Sequence, residues 1–277
     1  MSAPTINRNG AAALALWYGL VVLFLFAPIL TSVVYSFNLG SLGKQTSTFT
    51  GWTVQWFADA WNNVSLRRAV QTSLVASFWS AIVAVILGTC LGIALVRHPN
   101  ATIRRLLSGL TYILLIVPET VIGVSLLLFY AVTHLRLGMP TLVAGITPLP
   151  IAVTALIVRA GVLTLDRRLE DAAADLGANG WQTLRYVILP HLMPAVLAGA
   201  LMSYVFSFDN LVISSFLTTP SISTLPVYLY GSLQYGPSPA IYAAATSVFA
   251  FTLLLIALAG LFYRAMLQRD RRGPARS

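Results

Sequence analysis

Two carboxylic acids stand inside long apolar runs of this sequence, and that setting decides what chemistry they could perform. Glu119 interrupts an otherwise uncharged run over residues 106–135, and Asp209 interrupts another over residues 186–263. A charged side chain inside a membrane is costly and rare, and it commonly marks the pathway of an ion or a solute. A carboxylate there could attract a cation, relay protons, or make a structural hydrogen bond that caps a broken helix.

The surroundings of the two acids favour a pathway for a cation. Pro118 removes a backbone donor just before Glu119, and Tyr204 and Phe206 precede Asp209. Aromatic ring faces attract ammonium groups. Counted along straight helices, Glu119 lies about 20 Å and Asp209 about 26 Å from the cytoplasmic edge, in the outer half of an apolar core about 30 Å thick. We therefore predict that Glu119, Asp209, Tyr204 and Phe206 line a substrate path.

A polar segment, residues 166–190, separates two of the apolar runs and contains a second group of candidate residues. Glu170 and Asp171 lie near the start of its first half, and acids there suit the positive end of a helix. Gly177 can take the left-handed conformation that ends a helix. Residues 181–189 then predict a second short helix. The alanine side chains of the first helix are small, so one face of that helix would let another protein approach closely. We therefore predict that the segment docks in a groove of another protein.

Catalytic signatures are absent from the sequence. A nucleotide-binding P-loop needs Gly, four residues, then Gly-Lys-Ser/Thr, but the one Gly-Lys pair, Gly43-Lys44, is followed by Gln45. The three histidines lack the spacing of metal ligands, and no Gly-x-Ser-x-Gly nucleophile turn occurs. We therefore predict no catalytic residue, metal site or cofactor in this chain. Energy for transport must come from a partner ATPase or from an ion gradient.

These residues are carried by a chain with the composition of an integral membrane protein. It has 277 residues, of which 57% are hydrophobic and 9% are charged, whereas a soluble domain carries about 25% charged residues. A spanning helix needs about 20 apolar residues, so we predict an all-α membrane protein with six spans in one domain, 1–277. The predicted spans cover residues 12–37, 69–96, 106–132, 139–160, 192–217 and 240–264.

Basic residues indicate the orientation of the chain in the membrane. Cytoplasmic loops carry an excess of Lys and Arg. With the N-terminus inside, thirteen of the 17 basic residues lie on the cytoplasmic side, and Lys44, Arg67, Arg68 and Arg136 lie outside. We therefore predict that both termini and the loop over residues 161–191 are cytoplasmic. The net charge of +9 then reflects the cytoplasmic face of a membrane rather than a nucleic-acid partner.

Small residues recur at every fourth position of the predicted fifth span. Ala195, Gly199, Ser203 and Ser207 form a ridge of the kind that lets membrane helices pack closely. Asp209 lies about 200° around the helix from Ser207. We predict that the ridge packs against another helix while Asp209 faces elsewhere.

The polar segment carries a spaced pattern of acidic, small and apolar residues. The positions are Asp171, Ala172, Ala173, Gly177, Val187, Leu189 and Pro190. The pattern resembles the EAA loop of ABC-importer permeases, in which Glu-Ala-Ala is followed by a spaced Gly, Ile and Leu-Pro. Asp replaces the first Glu, with Glu170 just before it, and Val replaces Ile. The resemblance implies that these residues and Glu170 form a coupling helix that sits in a cleft of an ATPase subunit.

Further stretches extend the resemblance over most of residues 66–251, and they are similar to spermidine/putrescine-type permeases. The stretches are LRRAVQTSLVAS, VPETVIGVSLLL, SFDNLVISSFLTTP and STLPVYLYGSLQYGPSPAIYAAATS. The resemblance implies a multi-pass protein of the bacterial cytoplasmic (inner) membrane with the type I importer architecture. It also implies a permease subunit that forms the path of a small solute, in this branch a polyamine.

The resemblance further implies several partners. They are two cytoplasmic ATPase subunits that use ATP and Mg, a second permease subunit and an extracytoplasmic solute-binding protein. The second permease would be a related chain or a copy of this one. Two alternatives remain at this point, which are an importer for another small solute and an ion-coupled secondary carrier with Glu119 and Asp209 as a proton relay.

Overall fold

The described part of the chain is built from helices. The computed structural model describes residues 8–41, 43–46, 48–234, 238–250 and 253–254, with side chains from residue 14 onward. The helices are α1 (Arg8–Tyr35), α2 (Gln55–Asn62), α3 (Val64–Arg97), α4 (Ala101–Ile116), α5 (Glu119–Val132), α6 (Met139–Ile146), α7 (Pro148–Thr164), α8 (Arg168–Asp175), α9 (Gly180–Thr183), α10 (Leu189–Phe208), α11 (Val212–Leu217), α12 (Leu225–Gln234) and α13 (Pro239–Ala250). A π-helical turn, Leu184–Ile188, joins α9 to α10.

Within the described residues, three helices are long and apolar enough to cross a membrane by themselves. They are Leu14–Tyr35, Val64–Arg97 and Gly180–Phe208. The predicted sixth span, 240–264, is helical over Pro239–Ala250, and most of the remainder lies outside the described residues. Six spans and cytoplasmic termini therefore stay predictions.

The third predicted span, 106–132, is broken into two helices at Pro118, where its missing backbone donor favours an opening. α4 ends at Ile116, α5 begins at Glu119, and the two helices are bent by 97°. Pro118 explains the break, because it has no N–H to continue the helix and disfavours a helical conformation in the residue before it. Val117 accordingly has an extended ψ of 126°. The depth of Glu119 counted along a straight helix is therefore not valid.

The fourth predicted span, 139–160, is bent as well. α6 and α7 are bent by 42° relative to each other. The bend lies where Pro148 begins α7, directly after Thr147. Pro148 cannot donate the hydrogen bond that would continue the preceding helix. If each bent pair is one span, the described residues contain five candidate spans.

The predicted fifth span, 192–217, is shifted toward the N-terminus. The helix is continuous over Gly180–Phe208, so residues 181–189 are helical as expected but run without a break into α10 and do not form a separate short helix. Pro190 has no N–H to donate, and the π-helical turn just before it adjusts the hydrogen bonding. At the other end the helix stops at Phe208, and α11 begins after a break of three residues.

Residues 65–230 form one compact unit, and Thr154 of α7 lies at one of its closely packed points. A methyl group added at Gly88 of α3 would lie 2.7 Å from Thr154 Cβ, and one at Gly199 of α10 would lie 2.8 Å from Thr154 Cγ2. The Thr154 hydroxyl also lies 2.5 Å from the Ser203 hydroxyl. Small residues thus let α3, α7 and α10 pack closely, as is usual between membrane helices.

The predicted ridge of small residues on the fifth span is confirmed by its packing. Gly199, Ser203 and Ser207 are buried, and Ser207 Oγ lies 2.8 Å from Ser80 Oγ of α3. Asp209 is exposed, in agreement with the prediction that it faces away from the ridge.

The described residues of 1–64 and 231–277 belong to a second compact unit. After α1, the buried Asn38 organises the connection to α2. Its Nδ2 donates to Gln45 Oε1 over 2.7 Å, its Oδ1 accepts from the Thr50 N–H over 2.8 Å, and its carbonyl accepts from Trp56 Nε1 over 2.9 Å. These bonds fix the loop without regular secondary structure.

Candidate functional site

The break of one helix pair and the end of a long apolar helix meet at Glu119 and Asn210. Glu119 is the first residue of α5, directly after the bend at Pro118, and Asn210 lies in the break between α10 and α11. Asn210 Nδ2 donates to Glu119 Oε2 over 3.4 Å. The partner of the carboxylate is a neutral amide, which leaves its negative charge available to a cation.

Asn210 is buried and also holds the start of α11. Its Oδ1 accepts from the Ser214 N–H over 3.2 Å and lies 3.5 Å from Ser214 Oγ. An asparagine side chain that bonds a nearby backbone N–H competes with continuation of a helix, which explains why α10 ends at Phe208. Asn210 was not among the predicted site residues, and the available signal in the sequence was its place next to Asp209 in the stretch SFDNL.

The packing of α5 against α11 positions this contact. A methyl group added at Gly123 of α5 would lie 2.5 Å from Phe216 Cδ2 of α11, so the two helices approach closely. An apolar cluster next to them joins α3, α5, α6 and α11, with core residues Ala76, Tyr130, Leu142, Ile146, Ile213 and Leu217. Glu119 is therefore carried by a well-packed helix start and not by a loop.

The other predicted path residues are distributed around α10. Asp209 is the C-cap of α10, and its backbone N–H donates to the Val205 carbonyl over 3.0 Å. Tyr204 stacks on Phe208 with ring centroids 6.2 Å apart, and Phe206 is exposed. The structure thus brings Glu119 together with the residue next to Asp209.

Tyr204 also lines an open groove of about 340 Å³ between α3 and α10. Its other lining residues are Leu74, Val75, Phe78 and Trp79. This groove is apolar, and the residues that line it do not include Glu119 or Asn210. The parts played by Tyr204 and Phe206 in a substrate path stay predictions.

In the polar segment, α8 ends where Gly177 was predicted to end it. Gly177 has a φ of +83°. The Ala178 N–H donates to the Ala173 carbonyl over 3.0 Å, and the Gly177 N–H donates to the Ala174 carbonyl over 2.9 Å. These two bonds and the left-handed glycine form a Schellman motif, which closes the helix and reverses the chain.

The chain begins its next helix within two residues of that motif. The Asn179 side chain accepts from the Gln182 N–H over 2.9 Å, and the Gln182 side chain accepts from the Asn179 N–H over 2.8 Å. This reciprocal capping box satisfies two N–H groups at the helix start. The turn between α8 and α9 is therefore defined on both sides by hydrogen bonds.

Several apolar side chains of the polar segment are exposed. Leu176 is 90% exposed and Trp181 is 67% exposed. Asp171 and Ala172 are exposed as well, whereas Ala173 is buried against the chain. Exposed apolar side chains beside a helix face of small residues are suited to burial by a partner, because association removes them from water.

Glu170 behaves differently from its neighbour Asp171. Its Oε1 lies 2.7 Å from Nη2 of Arg97, at the end of α3, and the side chain is 23% exposed. Leu189 and Pro190 lie in the first turn of α10, at the far end of the segment. Of the two acids predicted to contact an ATPase, the exposed Asp171 is available to a partner, and Glu170 is engaged within the chain.

Comparisons with known proteins give a consistent result. The family described as "Binding-protein-dependent transport system inner membrane component" matches residues 84–272. The chain is 32% identical over 241 residues to the spermidine/putrescine transport system permease protein PotC of Escherichia coli K12, covering 87% of this chain and 90% of PotC. It is 32% identical to the putrescine transport system permease protein PotI of the same organism, covering 81% of each chain.

A solved structure agrees at the level of fold. A chain from the crystal structure of a bacterial ABC transporter involved in the import of the acidic polysaccharide alginate superposes with a TM-score of 0.71. The sequence identity is 15%, and the match covers 94% of this chain and 99% of that chain.

Proposed function

The chain belongs to the family of binding-protein-dependent transport system inner membrane components, and from that premise we propose that it forms the translocation path of a polyamine importer. It is a permease component of an ABC importer, with the all-helical fold of the type I importer permeases. Family membership disfavours the alternative of an ion-coupled secondary carrier. We place the protein in the bacterial cytoplasmic (inner) membrane as a multi-pass subunit.

The observation that carries the proposed solute is the Glu119 carboxylate at the meeting of two broken helices, paired with the neutral Asn210. A polyamine has several ammonium groups and loses hydration as it crosses an apolar path. A carboxylate in a medium of low dielectric constant offsets part of that loss. The exposed Asp209, next to Asn210 in the chain, offers a second acid to a solute with more than one positive charge.

Similarity to relatives supports the same solute class. PotC and PotI are named for the transport of spermidine and putrescine, and their resemblance extends over more than four-fifths of this chain. Importers of other small solutes are the remaining alternative, because permeases of one fold transport different solutes.

For energy coupling, we propose that the polar segment docks in a cleft of a cytoplasmic ATPase subunit. The exposed Leu176 and Trp181 and the exposed Asp171 would form the contact. Burial of such apolar side chains at the centre of an interface commonly contributes most of its affinity. Two ATPase subunits would bind ATP and Mg, and this chain would hydrolyse none.

The complete importer would contain two further partners. A second permease subunit, a related chain or a copy of this one, would complete the path. An extracytoplasmic binding protein would deliver the solute, as the description of the family indicates.

The solute is tested by uptake into vesicles that contain the complete purified importer. We expect labelled spermidine or putrescine to accumulate when ATP is supplied, and not when ATP is replaced by a non-hydrolysable analogue. Collapse of the membrane potential should leave uptake in place. Uptake of a neutral or anionic solute, with no uptake of any amine in a panel of labelled amines, would overturn the polyamine proposal.

Docking is tested by co-purification of the ATPase with Asp171→Lys. The substitution places a positive charge near a helix start, which is unfavourable, and on the exposed face of α8. We expect loss of the bound ATPase. Asp59→Lys, the same change at an exposed acid of α2, is the matched control and should retain it. Normal ATPase binding by Asp171→Lys would contradict the proposed contact.

A further inference from the structure

The guanidinium of Arg97 joins the ends of three helices. Arg97 is the last residue of α3, and its side chain is 15% exposed. Its Nη2 lies 2.7 Å from Oε1 of Glu170, in the first turn of α8. The same Nη2 donates to the carbonyl of Leu165, the C-cap of α7, over 3.1 Å. One side chain thus ties α3, α7 and α8 together.

Helix electrostatics favours every contact in this junction. Cations stabilise helix C-termini and anions stabilise helix N-termini. The positive charge of Arg97 lies at the C-termini of α3 and α7, and the negative charge of Glu170 lies at the N-terminus of α8. Both side chains are largely buried, so salt screens the pair less than it screens an exposed ion pair. The junction therefore holds α8 in a defined orientation relative to α3 and α7.

The second half of the polar segment is held by apolar contacts instead. Ile188 belongs to a buried cluster that joins this half to α3, α7 and α10. The cluster consists of Val158, Val162, Ile188 and Leu192, with Ile93, Val96, Leu165, Leu184 and Val196 packed against it. The Schellman turn at Gly177 separates the two halves. Arg97 is thus a polar attachment of α8 that adjoins the apolar attachment of the second half.

We propose that the Arg97–Glu170 pair transmits the displacement of α8 to α3 and α7, and so links ATP hydrolysis to the opening of the solute path. The inference rests on the proposed docking of the polar segment on an ATPase. α3 and α7 are two of the three helices that pack around Thr154, so a movement of their ends reaches the packed centre of the unit. Arg97 is a positioning residue in this scheme and touches neither the solute nor the nucleotide.

A double-mutant cycle tests the proposal in the complete importer reconstituted in vesicles. The variants are Arg97→Gln, Glu170→Gln and their combination, with Arg97→Lys as the conservative change. The measurements are ATPase co-purification, ATP hydrolysis with and without the loaded binding protein, and solute imported per ATP. Arg104→Gln is the matched control, because Arg104 donates to the His98 carbonyl over 2.7 Å and has no bond to α8 among the described contacts.

We expect Arg97→Gln to keep ATPase co-purification within about twofold and to lower the stimulation of hydrolysis by the binding protein about tenfold, because the largely buried Glu170 carboxylate then lacks its ion-pair partner. Arg97→Lys should retain part of the stimulation, because it keeps the charge but not the planar fork. The double variant should be no worse than the single variants, because both changes remove the same contact. Arg104→Gln should behave as wild type.

Three results would overturn the proposal: full stimulation in Arg97→Gln, additive losses in the double variant, or loss of ATPase co-purification in Arg97→Gln. The last result would mean that Arg97 supports docking itself. Failure of the docking proposal is distinguishable, since it appears as normal ATPase binding by Asp171→Lys, a residue outside the junction.

Discussion

The amide nitrogen of Asn210 lies 3.4 Å from Oε2 of Glu119, although the two residues are 91 positions apart in the chain. Glu119 stands at the break between α4 and α5, after Pro118, and Asn210 stands at the break between α10 and α11, after Asp209. Membrane transporters bind solutes and ions at such interruptions, where irregular backbone lines a cavity. This contact is therefore the best place to test the proposed path.

We predict that Glu119→Gln lowers ATP-driven polyamine uptake about tenfold, which corresponds to about 1.4 kcal/mol of barrier. The change removes the charge and preserves the shape and the hydrogen bond to Asn210. Asp209→Asn should have a smaller effect, because Asp209 is exposed to solvent and its charge is better screened. The measurement is the initial rate of uptake at matched amounts of assembled importer.

The control for both changes is Asp59→Asn, which neutralises an exposed acid on α2 and should leave uptake unchanged. If Glu119→Gln transports polyamines at the wild-type rate, the acid does not line the path. If it lowers the yield of assembled importer and not the rate, its role is structural.

Asn210→Ala removes both the donor to Glu119 and the acceptor for the Ser214 N–H. We expect a loss of stability of about 1–2 kcal/mol, because a buried N–H then lacks its partner, together with slower uptake. Thermal unfolding of the purified protein measures the first effect, and vesicle uptake measures the second. Asn62→Ala, on the exposed end of α2, should change neither. A variant as stable as wild type would show that α11 starts without help from Asn210.

Gly177→Val should disrupt the end of α8. Gly177 has a φ of +83°, and a β-branched residue is strained in that conformation. We expect loss of ATPase co-purification while the membrane helices stay folded, as judged by circular dichroism. Gly180→Ala is the matched control, because Gly180 begins α9 and a methyl group there meets nothing within 4 Å. Equal ATPase binding by both variants would rule out a requirement for the left-handed turn.

Leu176→Ser should weaken ATPase binding without destabilising the protein itself. The side chain is 90% exposed, so its removal costs the isolated chain almost no buried apolar area. At the centre of an interface, the same truncation costs about 1–2 kcal/mol. Binding of the isolated ATPase to immobilised permease measures the loss, with unfolding temperature as the control. An unchanged affinity would place Leu176 outside the contact.

Gly199→Ala should destabilise the packing of α10 on α7 by about 1–3 kcal/mol, because overpacking a tight interface forces neighbouring groups apart. The added methyl group would lie 2.8 Å from Thr154 Cγ2. Thr154→Ser removes that methyl group and keeps the hydroxyl that meets Ser203. The double variant should therefore recover part of the lost stability in thermal unfolding. No recovery would mean that the clash lies elsewhere.

Features governed by local rules were predictable from the sequence. Gly177 ends α8, as a glycine at a helix C-terminus commonly does. The separation of four residues between Gly199, Ser203 and Ser207 indicated the packed face of α10. The same local reasoning identified Pro118 as the place where the third span opens. Each of these depends on a few neighbouring residues.

Features that depend on distant contacts were not predictable in this way. The helix pair is bent by 97° at Pro118, and α5 packs closely against α11, whereas proline alone determines a break but not its angle. Asn210 carries no charge and so did not stand out among apolar residues. The pairing of Arg97 with Glu170 spans four intervening helices, and no local spacing encodes it.

The break at Pro118 also leaves one backbone carbonyl without the N–H that a continuous helix would supply. In an unbroken helix the N–H of residue 118 would donate to the Leu114 carbonyl, but proline has no N–H. The end of α4 thus has a carbonyl oxygen that lacks this donor and bears part of the negative charge of a helix C-terminus. Freed carbonyls of this kind can replace water around a cation and do not titrate. An ammonium group shedding its hydration shell would therefore find a neutral ligand on one side of the bend and an ionised one, Glu119, on the other, so import should persist at a reduced rate when the carboxylate is neutralised.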